Sequence, residues 1–151
     1  MSDDAPPFGV RLAQLLASEL VARTDGPLAR LELVDVADSD ALDPDELGEL
    51  AYGVVLHESV AADEETESKG DGTGERTRLA DVYAHDDRAR VEFRAGVDAV
   101  AAAAQDADLR VRPKAVDPPR TLVFVEDGGE VKRVLAAVHA AVEASDDAAH
   151  D

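Results

Sequence analysis

The sequence predicts a single α+β domain: a mainly antiparallel sheet of about five or six strands with three helices packed on it. Three observations predict it. Strand-like runs cluster in the middle of the chain with a hairpin among them. Helical stripes open, interrupt and close that cluster. A chain of 151 residues that is 45% hydrophobic is long enough to bury one real core.

The elements follow in order. In "GVRLAQLLASELVAR", Leu12, Leu15, Leu16 and Leu20 recur at helical period, with Arg11, Gln14, Ser18 and Arg23 off the stripe. "TDGP" ends this helix, since Gly26 suits a C-terminal cap and Pro27 cannot continue the turn. "LARLELVDV" reads as a strand. "ADSDALDPDELGE" is a polar connection with room for a short helical turn after Pro44, and "LAYGVVLHESV" is a second strand rich in Val, Leu and Tyr. Residues 61–77, "AADEETESKGDGTGERT", carry acids and glycines but no large apolar side chain. Such a run cannot offset its own ordering entropy, which predicts a mobile loop within the domain.

"RLADVYAHDDRARVEFRAG" predicts a hairpin around the turn His85-Asp86-Asp87-Arg88. In its second strand Val91 and Phe93 point one way, and Arg90, Glu92 and Arg94 the other. "GVDAVAAAAQDA" follows as a helix on alanine propensity and the stripe Val97, Val100, Ala101 and Ala104. "DLRVR" alternates Leu109 and Val111 against Arg110 and Arg112. Pro113 and Pro118-Pro119 mark where strand pairing should stop, and "DPPR" becomes a stiff connection into the next strand. That strand, "RTLVFVE", is apolar on both faces, as a central strand covered on two sides or one with a wet end would be. Asp127-Gly128-Gly129 reads as a turn. "EVKRVLAAVHAAVEA" closes the chain as an amphipathic helix on Val131, Val134, Leu135, Val138 and Val142, and residues 145–151 should fray. The strand–helix–strand unit from Arg90 to Glu126 allows one parallel pair through a right-handed crossover. The order of elements is similar to that of type III secretion chaperones, an analogy of topology that carries no functional residue.

Aromatics make up only 3% of the chain and Trp is absent. The core should therefore be Val, Leu and Ala, with Phe8, Phe93, Phe124, Tyr52 and Tyr83 as the few large anchors. No apolar run is long enough to span a membrane, and "MSDDAPPFG" has neither the positive nor the apolar region of a secretory signal. Cysteine is absent, which excludes disulfides and thiolate metal sites. A soluble cytoplasmic protein is the expectation. The formal net charge is −19, from 15 basic and 34 acidic residues, and only Lys69, Lys114 and Lys132 are lysines. Self-repulsion at that density opposes a compact state, but at molar salt the Debye length falls to about 3 Å and most of it is screened. The acids are spread along the chain rather than gathered in a tail, as suits a protein that works in concentrated salt.

Sites of chemistry are hard to single out. "KGDGTGER" has three glycines but lacks the Gly-Lys-Ser/Thr ending of a phosphate loop. His57, His85, His139 and His150 do not pair at helical spacing, and His85-Asp86-Asp87 reads as a solvated turn rather than a metal site. No catalytic residue, metal or cofactor is predicted, and carboxylates are too abundant for any pair to carry a signal. Charge distribution says more. Residues 76–120 hold nine of the fifteen basic residues and only eight of the thirty-four acids. Within this island Arg88, Arg90, Arg94, Arg110, Arg112, Lys114 and Arg120 are the candidate binding residues, because strand alternation puts Arg90 with Arg94, and Arg110 with Arg112. Arginine suits bidentate contact with carboxylate or phosphate. In a chain this acidic, internal pairing with Glu92, Asp81, Asp108 or the acidic run 61–75 is the first expectation. Aromatic interleaving is missing along the sequence, and salt weakens phosphate contacts; both disfavour nucleic acid.

"RLAQLLASEL", "VYAHDDRARVEFR" and "DLRVRPKAVDPPRTLVFVE" together resemble a set of small acidic haloarchaeal proteins of unknown function, over most of the chain apart from residues 61–75. The resemblance implies a salt-rich cytoplasm and transfers no catalytic residue. The reading is a non-enzymatic interaction or structural module, with another protein or a second copy of the chain as partner. The alternative is an anion-binding protein whose Arg-lined sheet face holds a nucleic-acid backbone or a phosphorylated ligand.

Overall fold

The computed structural model describes residues 8–22, 27–37, 48–57, 76–116 and 119–149. In chain order these form α1 (Phe8–Val21), a 3-10 turn (Pro27–Arg30), β1 (Leu31–Val34), β2 (Glu49–His57), β3 (Arg76–Ala84), β4 (Ala89–Phe93), α2 (Val97–Asp106), β5 (Arg110–Lys114), β6 (Arg120–Val125) and α3 (Gly128–Ala149). This is one α+β domain with a six-stranded sheet in the order β1-β2-β3-β4-β6-β5. Every pairing is antiparallel.

The parallel pair allowed by the crossover does not form. β6 inserts between β4 and β5 and runs against both, so the strand–helix–strand unit is split by its own successor. The cause is in the composition of β6. Thr121, Val123 and Val125 bury one face, and Leu122 and Phe124 are still half-buried on the other. Such a strand gains most at a central position, whereas β5, with Arg110, Arg112 and Pro113 exposed, tolerates the edge. Pairing also continues past Pro113, which faces Thr121, to Lys114 opposite Arg120. An edge strand has one side of its backbone without a ladder partner, so a missing N–H there need cost no bond.

One face of the sheet carries all three helices. Val54, Ala80, Val82, Val91, Phe93, Val123 and Val125 point into it and meet Leu12, Leu16 and Leu20 of α1, Val100 and Ala104 of α2, and Val131, Val134, Val138 and Val142 of α3. Tyr52 belongs to this layer, its hydroxyl donating to the Ala13 carbonyl of α1 at 2.7 Å; burial pushes its phenol far above the ordinary tyrosine range. Thr121 likewise donates to the Val97 carbonyl at the start of α2, at 3.0 Å. Of the five aromatic anchors expected, only Phe93 and Tyr52 are core. Phe8 is exposed, and Tyr83 and Phe124 lie half-buried on the opposite face. Leu15, counted in the α1 stripe, is also exposed, and Val10 and Ala13 take its place.

Local chemistry sets the joints. α2 ends in a Schellman arrangement: Leu109 N–H donates to the Ala104 carbonyl at 3.0 Å and Asp108 N–H to that of Gln105 at 3.0 Å. Asp108 adopts the left-handed φ of 62° that the motif requires. Asp127-Gly128-Gly129 is the entry to α3 rather than a free turn. The Asp127 carboxylate accepts from Glu130 N–H at 2.9 Å, and Glu130 reaches back to accept from Glu126 N–H at 2.7 Å, in the manner of a capping box. The hairpin β3–β4 turns through residues 85–88 as expected, but His85 is buried at 3% exposure, not solvated. It is covered because the start of α1 lies against the turn: Gly9 N–H donates to Asp86 C=O at 3.3 Å.

β3 begins at Arg76, so residues 76 and 77, expected at the end of the acidic loop, are strand. Residues 61–75, the turn expected after Pro44, Gly26 and the Asp117-Pro118 connection lie outside the described residues. α3 extends to Ala149, into the stretch expected to fray. Among the described residues no helix is long and apolar enough to cross a membrane.

Candidate functional site

The helices cover one face of the sheet, and the other carries the arginines. A bulge helps to place them. Between Val54 and Val55 of β2 the register steps from Ala80 to Arg78, so Leu79 is an extra residue in β3. Residues three apart in a regular strand face opposite ways, but here Arg78 and Asp81 share the open face and bond at 2.7 Å. Gly53, opposite Asp81, leaves the space that the Arg78 guanidinium fills: a methyl group on it would meet that group at 2.5 Å.

Two acids lie at the centre of this face. Asp81 and Glu92 are direct cross-strand partners, 3% and 2% exposed. Like charges opposite one another repel, and cations resolve the conflict. Asp81 is held by Arg78 and, at 3.2 Å, by Arg94. Glu92 is held by Arg90 at 3.0 Å, Arg120 at 2.9 Å and Lys114 at 3.6 Å. Four of the seven predicted binding residues, Arg90, Arg94, Lys114 and Arg120, are therefore engaged with buried carboxylates. Arg90 also donates to His85 Nε2 at 3.1 Å. Since arginine only donates, that ring nitrogen is the acceptor and the proton of a neutral His85 sits on Nδ1.

The other three, Arg88, Arg110 and Arg112, line one cleft of about 310 Å³ with Val111 and Phe124. The Arg88 and Arg110 guanidinium carbons stand over the Phe124 ring, 5.8 and 6.0 Å from its centre. Arg88 pairs with its exposed neighbour Asp87 at 2.9 Å, and Arg110 with Glu126 at 2.9 Å. Arg112 makes no ion pair with any described residue. Thus the structure splits the basic island into a group that neutralises buried acids and a group of three that converges on a cleft.

Arg110 and Arg112 share a face, and so do Arg90 and Arg94, as alternation requires. The two pairs are not on neighbouring strands, however, because β6 lies between them. What β6 contributes was missed: Phe124 sits between Arg90 of β4 and Arg110 of β5, its direct register partners. One strand further, Arg90 faces Tyr83 of β3 and its guanidinium carbon lies 4.4 Å from the centre of that ring. Tyr83, Arg90, Phe124 and Arg110 so form a cross-strand row of alternating aromatic and guanidinium groups. The Tyr83 phenol is held above its ordinary range, first by burial and then by the Glu92 and Asp81 carboxylates, so the ring stays neutral. Strand parity, with Phe124 four residues from Arg120 and Tyr83 two from Asp81, was the available signal for this row.

Residues 1–151 match, over the whole chain, the model of a family of unknown function, DUF7993. No curated protein and no solved structure matches it.

Proposed function

We propose a function for this chain, which belongs to DUF7993, a family of unknown function, from the chemistry of its open sheet face. The protein is a non-enzymatic binding module that takes an anionic ligand in the arginine-lined cleft. One observation carries this reading: Arg88, Arg110 and Arg112 converge on a single cleft of about 310 Å³. Guanidinium groups bind phosphate or carboxylate through paired N–H donors and stay protonated throughout the working pH range. They hold and orient an anion and offer no group that exchanges a proton with it. Phe124 adds an apolar floor. The five cations around Asp81 and Glu92 outnumber those two carboxylates together with Asp35, which pairs with Arg78 at 3.4 Å, so the surrounding face adds attraction rather than repulsion.

The medium is part of the proposal. With a net charge of −19 and exposed acids on every layer, among them Glu32, Glu49, Asp87, Asp98, Asp127 and Glu143, the protein suits the cytoplasm of a salt-rich cell. There chloride competes for each guanidinium, so a ligand must present several anionic oxygens at once to win.

Calorimetric titration with inorganic pyrophosphate in molar KCl tests the site. The double variant Arg110→Ala/Arg112→Ala should bind at least about a hundredfold more weakly, since each charge-assisted hydrogen bond contributes about 1.5–3 kcal/mol. Its circular dichroism should match that of the parent. Unchanged affinity would move the site elsewhere; loss of fold would show that these arginines serve structure.

A further inference from the structure

We infer that the ligand of this face is single-stranded nucleic acid, its bases stacked along the row Tyr83–Arg90–Phe124–Arg110 and its phosphates held by Arg88, Arg110 and Arg112. The inference rests on the anion-binding reading above and adds the class of ligand. Three features argue for it.

The first is planarity. Register places the four side chains directly opposite one another across β3, β4, β6 and β5. Neighbouring strands stand about 4.8 Å apart, so the row extends about 14 Å across the sheet face that no described helix covers. Phenyl, phenol and guanidinium groups are flat groups on which unpaired bases stack, and every base has such a surface. In this row the exposed Arg110 and the half-buried Phe124 and Tyr83 are the ones solvent reaches most, while Arg90 packs on the Tyr83 ring. Duplexes hide those surfaces, and an acidic peptide has none to match an aromatic row.

The second is charge. The row is flanked by the cleft arginines, with Arg112 free of any described carboxylate. In a chain of net charge −19 this is the face a polyanion can approach. At molar salt, screening within about 3 Å removes repulsion from acids elsewhere on the surface.

The third is the division of labour that salt imposes. Phosphate contacts weaken steeply as salt rises, because each counterion released on binding gains less entropy in a medium already rich in ions. Stacking releases none. A binder that works in concentrated salt therefore needs the aromatic half of the row, which a purely electrostatic groove lacks.

The experiment uses the full chain in molar KCl and three fluorescent probes: an octauridylate, an abasic octamer with the same phosphates, and a blunt duplex. Inorganic pyrophosphate and poly-glutamate serve as competitors. Octauridylate should bind, and the abasic octamer should bind at least about tenfold more weakly, because each stacked base contributes a factor of that order or more. Phe124→Leu and Tyr83→Leu should each weaken octauridylate to a similar degree, with Phe124→Tyr restoring it. The duplex and poly-glutamate should compete poorly. Equal binding of the abasic and base-bearing octamers overturns the inference, and this comparison needs no variant to fold. If pyrophosphate or poly-glutamate binds through Arg110 and Arg112 but octauridylate gains nothing from its bases, the anion site stands and the nucleic-acid assignment falls. If no probe binds, both fall.

Discussion

Glu92 is the residue on which the open face turns. It is 2% exposed, yet Arg90, Arg120 and Lys114 all reach it. Removing the acid strands three cations beside one another with no shared counter-charge. Glu92→Gln should therefore cost about 3 kcal/mol, the lower end for breaking a buried pair because solvent still reaches its partners. Lys132→Ala, which loses only the exposed pair to Glu19, should cost less than about 1 kcal/mol. Denaturant midpoints in molar KCl compare the two, and equal shifts would reject the assignment of Glu92 as the anchor. At this scale alternation made much visible: Arg90, Glu92 and Arg94 were on one face from their spacing alone. The partners were not visible, because Arg120 and Lys114 lie far along the chain and meet Glu92 only through strand order.

Among the elements, α1 depends on a close approach. Its first turn lies against the hairpin, and a methyl group on Gly9 would sit 1.9 Å from the His85 carbonyl oxygen and 2.2 Å from that of Arg88. Both are backbone atoms that cannot step aside as a side chain would. Gly9→Ala should thus displace the start of α1, expose His85 and destabilise the fold by about 3 kcal/mol, the upper end of ordinary overpacking. Thermal unfolding, together with faster hydrogen exchange at residues 85–88, measures it; a variant as stable as the parent would contradict the packing. The helices themselves were legible from period and propensity. Which helical face is buried was legible less well: Leu15 fits the stripe of Leu12 and Leu16, yet α1 rolls so that Val10 and Ala13 face the sheet instead. Stripe width cannot decide that roll, since it depends on what the helix packs against.

For the whole molecule, charge is the governing quantity. Thirty-four acids against fifteen basic residues repel one another in dilute buffer. Dialysis to low salt should abolish the far-ultraviolet dichroism of the sheet and helices, and return to molar KCl should restore it. A fold indifferent to salt would remove the salt-rich cytoplasm from the proposal. Cations spent on Asp81 and Glu92 sharpen the expectation, because those pairs leave fewer positive charges to offset the acids outside the face.

Period, turn chemistry and composition by themselves determined the strands, the helices, the hairpin at residues 85–88 and the uneven charge of this chain. Each depends on neighbours within a few positions, so a linear reading finds it. Strand order and the choice of covered face depend on which distant segments bury most apolar surface together. That competition put β6 between β4 and β5 and, among the described residues, packed the three helices on one face of the sheet only. Tyr83 and Phe124, read along the chain, are two scattered aromatics; across the strands they alternate with Arg90 and Arg110. Only pairing between segments tens of residues apart could set them in one row.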